Sequence, residues 1–179
     1  MVHILKEIVK SILPFLGSIC VALFTYEYIE VRKKRKIETY WKIEEEYKSD
    51  HQQTARKLIE EIERIFKTVK SNNSDLNSDL IRKNLILFYN AEFHDSSDSE
   101  KREKARKIRI RIRLLHLIGI LVKKKMIDND LLFSLIGFGF EIDYDTLKII
   151  LDADREFHHM PTLYNHFEYL WDKYDKWKK

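Results

Sequence analysis

Side chains able to do chemistry are plentiful in this chain, but few gather at a spacing that chemistry uses. Cations are the most concentrated, in two places. Arg32, Lys33, Lys34, Arg35 and Lys36 form an unbroken run, and the stretch 101–113 carries Lys101, Arg102, Lys104, Arg106, Lys107, Arg109, Arg111 and Arg113. Guanidinium and ammonium groups in such number suit phosphate oxygens, whether of RNA, a nucleotide or anionic lipid. Arg32–Lys36 with Arg106, Arg109, Arg111 and Arg113 are therefore the candidate anion- or lipid-binding residues. On a helix, however, Lys107 falls with Arg111 and Arg109 with Arg113, on two separate faces. No aromatic residues interleave with them for base stacking. The competing account of 101–113 is a solvated face, or ion pairs with Glu44, Glu45, Glu46, Glu60, Glu61 and Glu63.

Catalytic constellations are missing at any recognisable spacing. There is no Gly-rich phosphate loop, no His-Glu-x-x-His and no Gly-x-Ser-x-Gly, so the expectation is a protein that is not an enzyme and carries no cofactor. His158, His159 and His166 with Asp152 and Asp154 are the best metal candidates. Adjacent histidines at a helix end rarely ligate one ion, and no metal site is expected. Asp128-Asn129-Asp130 lacks the glycine and terminal glutamate of an EF-hand and reads as a helix cap. The single cysteine, Cys20, excludes an intramolecular disulfide and a cysteine-based zinc site. With 33 cations against 29 anions the net charge is only +4, so no overwhelming field draws polyanions.

The elements that must position these residues start with an apolar segment. Ser11–Tyr26 holds no charge, and extended to Ile8, Val9, Tyr28 and Ile29 it is long enough to cross a hydrocarbon core of ~30 Å. Lys6 and Lys10 would snorkel, and Tyr26 and Tyr28 would lie in the interfacial belt. The cation run that follows places the N-terminus outside and the rest in the cytoplasm, at an inner or plasma membrane. A cleaved signal peptide is disfavoured because Phe24-Thr25-Tyr26-Glu27 offers no small-residue cleavage site. The layout expected is a transmembrane anchor over 1–31, a charged juxtamembrane stalk helix over 32–49 and a cytoplasmic α-helical domain over 50–179.

Few turn residues interrupt that last part, which argues for long helices. The stalk continues to Lys48 with Ile37, Tyr40, Trp41, Ile43 and Tyr47 as a partial apolar stripe. Ser49-Asp50-His51-Gln52 has the form of a capping box. Leu58, Ile62, Ile65, Phe66 and Val69 then mark an amphipathic helix, followed by another over about 79–93. Ser97 or Asp98 caps a long helix to Lys124. Within it Lys107–Arg113 alternates as a strand would, but its flanks favour a helix, with Gly119 permitting a close neighbour. The pattern next predicts a helix ending at Gly137 or Gly139, a separate one capped by Asp143 and running to Phe157, a break at 158–161, and a last helix starting at Thr162. The fold class is all-α: one N-terminal transmembrane helix and a bundle of about five or six helices.

From about Arg113 onward the chain resembles the bacterial proteins grouped as the domain of unknown function 4760. Leu115–Asp130, LHLIGILVKKKMIDND, carries the likeness, with Leu131–Leu151 and the aromatic C-terminus around Phe167 and Trp171. At Tyr144-Asp145-Thr146-Leu147 a tryptophan expected by the resemblance is missing. The resemblance implies a single span with a helical cytoplasmic domain, and no activity or functional residues. The function expected from the layout is a membrane-tethered, non-enzymatic interaction or sensor module, an effector in bacterial stress or phage defence. Its partners would be the bilayer and a protein or a second copy, met through span and stalk. The alternative is a nucleotide- or RNA-binding regulator that uses 101–113.

Overall fold

All elements of the computed structural model are helical. It describes residues 2–72 and 78–179, with side chains for 23–71 and 78–179. The helices are α1 (Val2–Lys48), α2 (Asp50–Asn72), α3 (Ser78–Tyr89), α4 (Ser99–Lys123), α5 (Asn129–Phe157) and α6 (Asn165–Lys178), with a π-helical turn over Asn90–His94. Among the described residues there is no strand, so the alternation Lys107–Arg113 is helical.

Local chemistry explains the starts of α2, α4 and α5. Ser49 Oγ accepts from the Gln52 amide at 3.4 Å. Asp98 accepts from the Glu100 amide at 2.8 Å, and Asp128 accepts from the amides of Asp130 and Leu131 at 3.0 and 3.2 Å. Each carboxylate or hydroxyl satisfies amides that the first helical turn leaves without partners. The break after α5 also falls where His158-His159-Met160-Pro161 predicts it. Helix α6 begins at Asn165 rather than Thr162, after Tyr164 in a left-handed conformation (φ 54°) with no side-chain cap.

Two expectations about α5 are corrected. Residues Asn129–Phe157 are one helix of 29 residues, not two. Gly137 and Gly139 lie inside it as sites of close approach, not as C-caps. A β-carbon at Gly137 would stand 2.7 Å from the Tyr174 ring, and one at Gly139 2.7 Å from the Tyr47 hydroxyl. Asp143 is buried in the middle of the helix and pairs with Arg111, so it caps nothing.

The chain divides into two compact units, one up to Thr39 and one over Tyr40–Lys179. In the first, α1 shows Leu23, Phe24, Tyr26, Tyr28, Ile29 and Val31 exposed. The expected span Ser11–Tyr26 lies, up to residue 22, outside the residues whose side chains are described. Among the described residues no helix is long and apolar enough to cross a membrane.

In the second unit, the end of α1 inserts Ile43 and Tyr47 into the core, so this part of the expected stalk belongs to the bundle. Trp41 stays exposed. Helix α4 packs on α6 and α2, and α5 packs on α2, α3 and α6. Ile108, Ile112, Leu115 and Ile118 of α4 meet Leu132, Phe140, Leu147 and Ile150 of α5 and Phe167 and Leu170 of α6 in a single core. Gly119 sets the α4–α6 spacing, because a β-carbon there would fall 2.0 Å from the His166 carbonyl oxygen. Glu168 ties α6 to α5 through Arg155 (3.1 and 2.7 Å) and Lys148 (2.8 Å). Hydrogen bonds from Arg155 hold its carboxyl down at about 2, against the opposing effect of burial.

Gly119→Ala is expected to cost about 1–3 kcal/mol or more in urea unfolding, because backbone has to move. Gly139→Ala costs less, since only the Tyr47 hydroxyl shifts and alanine's helix propensity returns ~1 kcal/mol. Because the folded Glu168 carboxyl lies below its unfolded value of ~4.3, the stability it adds is complete above that value and lost as pH falls through about 2. Glu168→Gln should therefore flatten the acid limb of a plot of urea midpoint against pH.

Candidate functional site

The two cation clusters fare differently. Arg32, Lys33, Lys34 and Arg35 are exposed on α1 and Lys36 is partly so, with Lys33 3.5 Å from Glu30. In α4 the arginines diverge. Arg106 is exposed and forks onto Glu103 at 2.7 and 2.8 Å. Arg109 lies 3.9 Å from the buried Asp154. Arg111 is 1 % exposed. Arg113 donates from Nε to the Tyr164 hydroxyl at 3.0 Å. Arg106, Arg109 and Arg113 recur at spacings of three and four and so share one face of α4, each with a partner of its own, while Arg111 turns the other way into the core.

Arg111 is the most deeply buried of them, and it joins four helices. Its guanidinium donates to Asp143 of α5 at 3.3 Å and to Gln52 of α2 at 3.4 Å, and lies 4.0 Å above the ring of Tyr47 of α1. The Tyr47 hydroxyl in turn donates to the Ile136 carbonyl at 3.3 Å, where Gly139 leaves it room. Gln52, read from sequence as half of a capping box, turns its side chain to Arg111 instead. Burial pushes the Asp143 carboxyl up, and the Arg111 charge pulls it back.

A second buried polar group surrounds the π turn. His94 Nε2 lies 2.9 Å from Asp154 Oδ1, both shielded from solvent. The imidazole stacks on Phe157 at 4.3 Å with His158 edge-on at 5.9 Å. The Tyr89 hydroxyl, at the end of α3, and Asn90 Oδ1, at the start of the turn, are enclosed without hydrogen-bond partners, and burial raises the Tyr89 phenol well above its usual value. Nothing in the sequence marks this turn. A π turn adds a residue to a helix without changing its apolar pattern, and such turns often sit at functional sites.

The same turn lines a cavity of about 140 Å³ between α2, α3 and α4. Leu58, Ile62, Ile65, Phe88, Phe93 and Ile108 form its apolar walls, and Glu61, Glu92, Lys101 and Lys104 are its charged lining. Lys101 hydrogen-bonds Glu92. Lys104 is 3.7 Å from Glu61 and 3.4 Å from Glu100. An apolar hollow with a few convergent polar groups is the usual form of a small-molecule site, and we take this one as the candidate functional site.

The metal candidates are dispersed. Asp152 is held by Arg82, Lys148 (2.6 Å) and Arg155 (3.5 Å), while Asp154 faces His94. His166 lies 5.1 Å, ring to ring, from His116, whose pKa is lowered first by burial and then by the His166 charge. Among the described residues no three histidine, cysteine, aspartate or glutamate side chains are grouped to hold a metal.

The family described as a domain of unknown function, DUF4760, matches residues 12–177, nearly the whole chain. The chain belongs to this family. No curated protein and no solved structure matches it. The family match reaches from the apolar N-terminal segment through the π turn and the cavity to the end of α6, so all of these lie within the family's domain.

Arg111→Met should lower stability by about 3–5 kcal/mol, because it leaves Asp143 buried and unpaired. Arg111→Met with Asp143→Leu should cost clearly less than the sum of the two single changes, read from urea unfolding as a double-mutant cycle. Strict additivity would mean that the pair does not couple.

Proposed function

We propose that the chain is a membrane-tethered, non-enzymatic interaction and sensor module. The observation that carries this reading is on α1, where exposed Leu23, Phe24, Tyr26, Tyr28, Ile29 and Val31 lead directly into Arg32–Lys36. So much aromatic and aliphatic surface costs free energy in water and is stable in an interfacial layer. The cations then face anionic headgroups at ~1 kcal/mol each. With Ser11–Tyr26 as the span, the N-terminus lies outside and the bundle in the cytoplasm.

Two features support the interaction part. Leu131, Phe138 and Ile142 are exposed along one side of α5, with Phe138 77 % exposed, while Leu135 between them is partly buried against the core. Trp41, at the start of the bundle, is exposed as well. Apolar rows of this kind are the usual seat of a helical partner or a second copy. A role in bacterial stress or phage defence fits this layout. The arrangement of α4 gives less support to an RNA- or nucleotide-binding reading, since its arginines serve Glu103, Asp154, Asp143 and Tyr164.

In cells, the full chain is expected to stay with membranes washed in alkaline carbonate. Leu13→Arg with Leu16→Arg, at ~2.5–3.5 kcal/mol per charge in a span, should move it to the supernatant. Recovery of the unaltered chain in the supernatant contradicts the tether.

A further inference from the structure

The cavity beside the π turn has a shape and a charge pattern that together define a ligand. Its volume, about 140 Å³, is close to that of apolar cavities of ~150 Å³ that hold benzene. One ring, or a branched group of four to six carbons, fills it. Ile62 and Ile108 at its walls are almost wholly shielded from water, so an apolar end placed there is desolvated.

The mouth adds the second half. Glu92 and Lys101 are hydrogen-bonded to each other and form a closed pair. Lys104 and Glu61 differ, standing 3.7 Å apart, wider than a hydrogen bond. Glu100, the other carboxylate near Lys104, is 3.4 Å away and largely exposed. An ammonium and a carboxylate that face each other as an ion pair without a hydrogen bond between them can each take an opposite charge from a ligand. The four side chains at the mouth sum to zero, so a head carrying one charge would leave its counterpart unmatched. A head with both charges matches the open pair.

We propose that this cavity binds a free α-amino acid with an aromatic or branched apolar side chain. The side chain enters between Ile62, Phe93 and Ile108, the carboxylate meets Lys104, and the ammonium meets Glu61. Phe93 and Glu92 belong to the π turn, so occupancy of the cavity bears directly on the turn that carries His94. The inference stands whether or not the chain is tethered, because every residue it uses lies in the bundle.

The test uses the full chain, in phosphatidylcholine nanodiscs or in buffer according to the phase in which it is recovered, with labelled isoleucine methyl groups. Titration with L-phenylalanine should shift the Ile62 and Ile108 methyl signals to saturation. Lys104→Gln and Glu61→Gln, both at exposed or partly exposed positions, should each weaken binding about tenfold or more, the loss of one charge-assisted bond. 3-Phenylpropionate and phenethylamine, each lacking one charge, should bind similarly weakly to the unaltered chain. Absence of a saturable shift overturns the proposal. So does equal binding by the three probes, or binding unchanged in both variants.

Discussion

A guanidinium enclosed by protein must find its partners there, and Arg111 finds them on three other helices. Asp143 supplies the countercharge, Gln52 an acceptor and Tyr47 a ring face. Each comes from a different element, so α4 cannot slide against α1, α2 or α5 without leaving a charge unmatched in a low-dielectric interior. The apolar contacts of α4 with these three helices are less directional, whereas its approach to α6 is fixed at Gly119. The ion pair sets the register, and the apolar side chains supply the bulk of the burial. Gly139 belongs to the same arrangement, since it admits the hydroxyl that fixes the Tyr47 ring beneath the guanidinium.

Where the chemistry was local, the sequence was legible. Asp98 and Asp128 cap the helices they announce, α2 begins beside Ser49, and Gly119 lies where a second helix comes closest. What could not be read depended on partners distant in the chain. Gly137 and Gly139 look like helix ends, because a glycine that stops a helix and one that admits a neighbour are the same residue. Their partners, Tyr174 and Tyr47, lie more than thirty and more than ninety residues away. Asp143 reads as a cap for the same reason. Arg111 reads as one of a cation cluster, although on a helix it falls three residues after Ile108 and four before Leu115, on the face that carries the core; a charge there shows no countercharge until Asp143 of α5 is in place. The π turn leaves no compositional trace at all.

The two parts of the chain differ in character. Residues 23–39 present an apolar and then a basic helical surface, the one on which the proposed tether rests. The bundle from Tyr40 onward holds its buried ionic groups in two places, the Arg111 hub and the His94–Asp154 pair, with a small hollow beside the latter. The hub ties down helix register. The π turn is a break in regular helix bordered by enclosed polar groups without partners, and the region of the bundle best suited to respond to a ligand.

The most direct test of the central claim, that Arg111 locks the end of α1, α2, α4 and α5 into one cooperative unit, is native-state hydrogen exchange of the full chain. The account predicts that amides around Ile43–Tyr47, Gln52–Ile59, Ile108–Leu115 and Asp143–Ile150 are protected to a common level and exchange through one shared opening. Exchange of Ile43–Tyr47 well ahead of the other three segments would contradict it, and would show that the end of α1 is only loosely attached to the bundle.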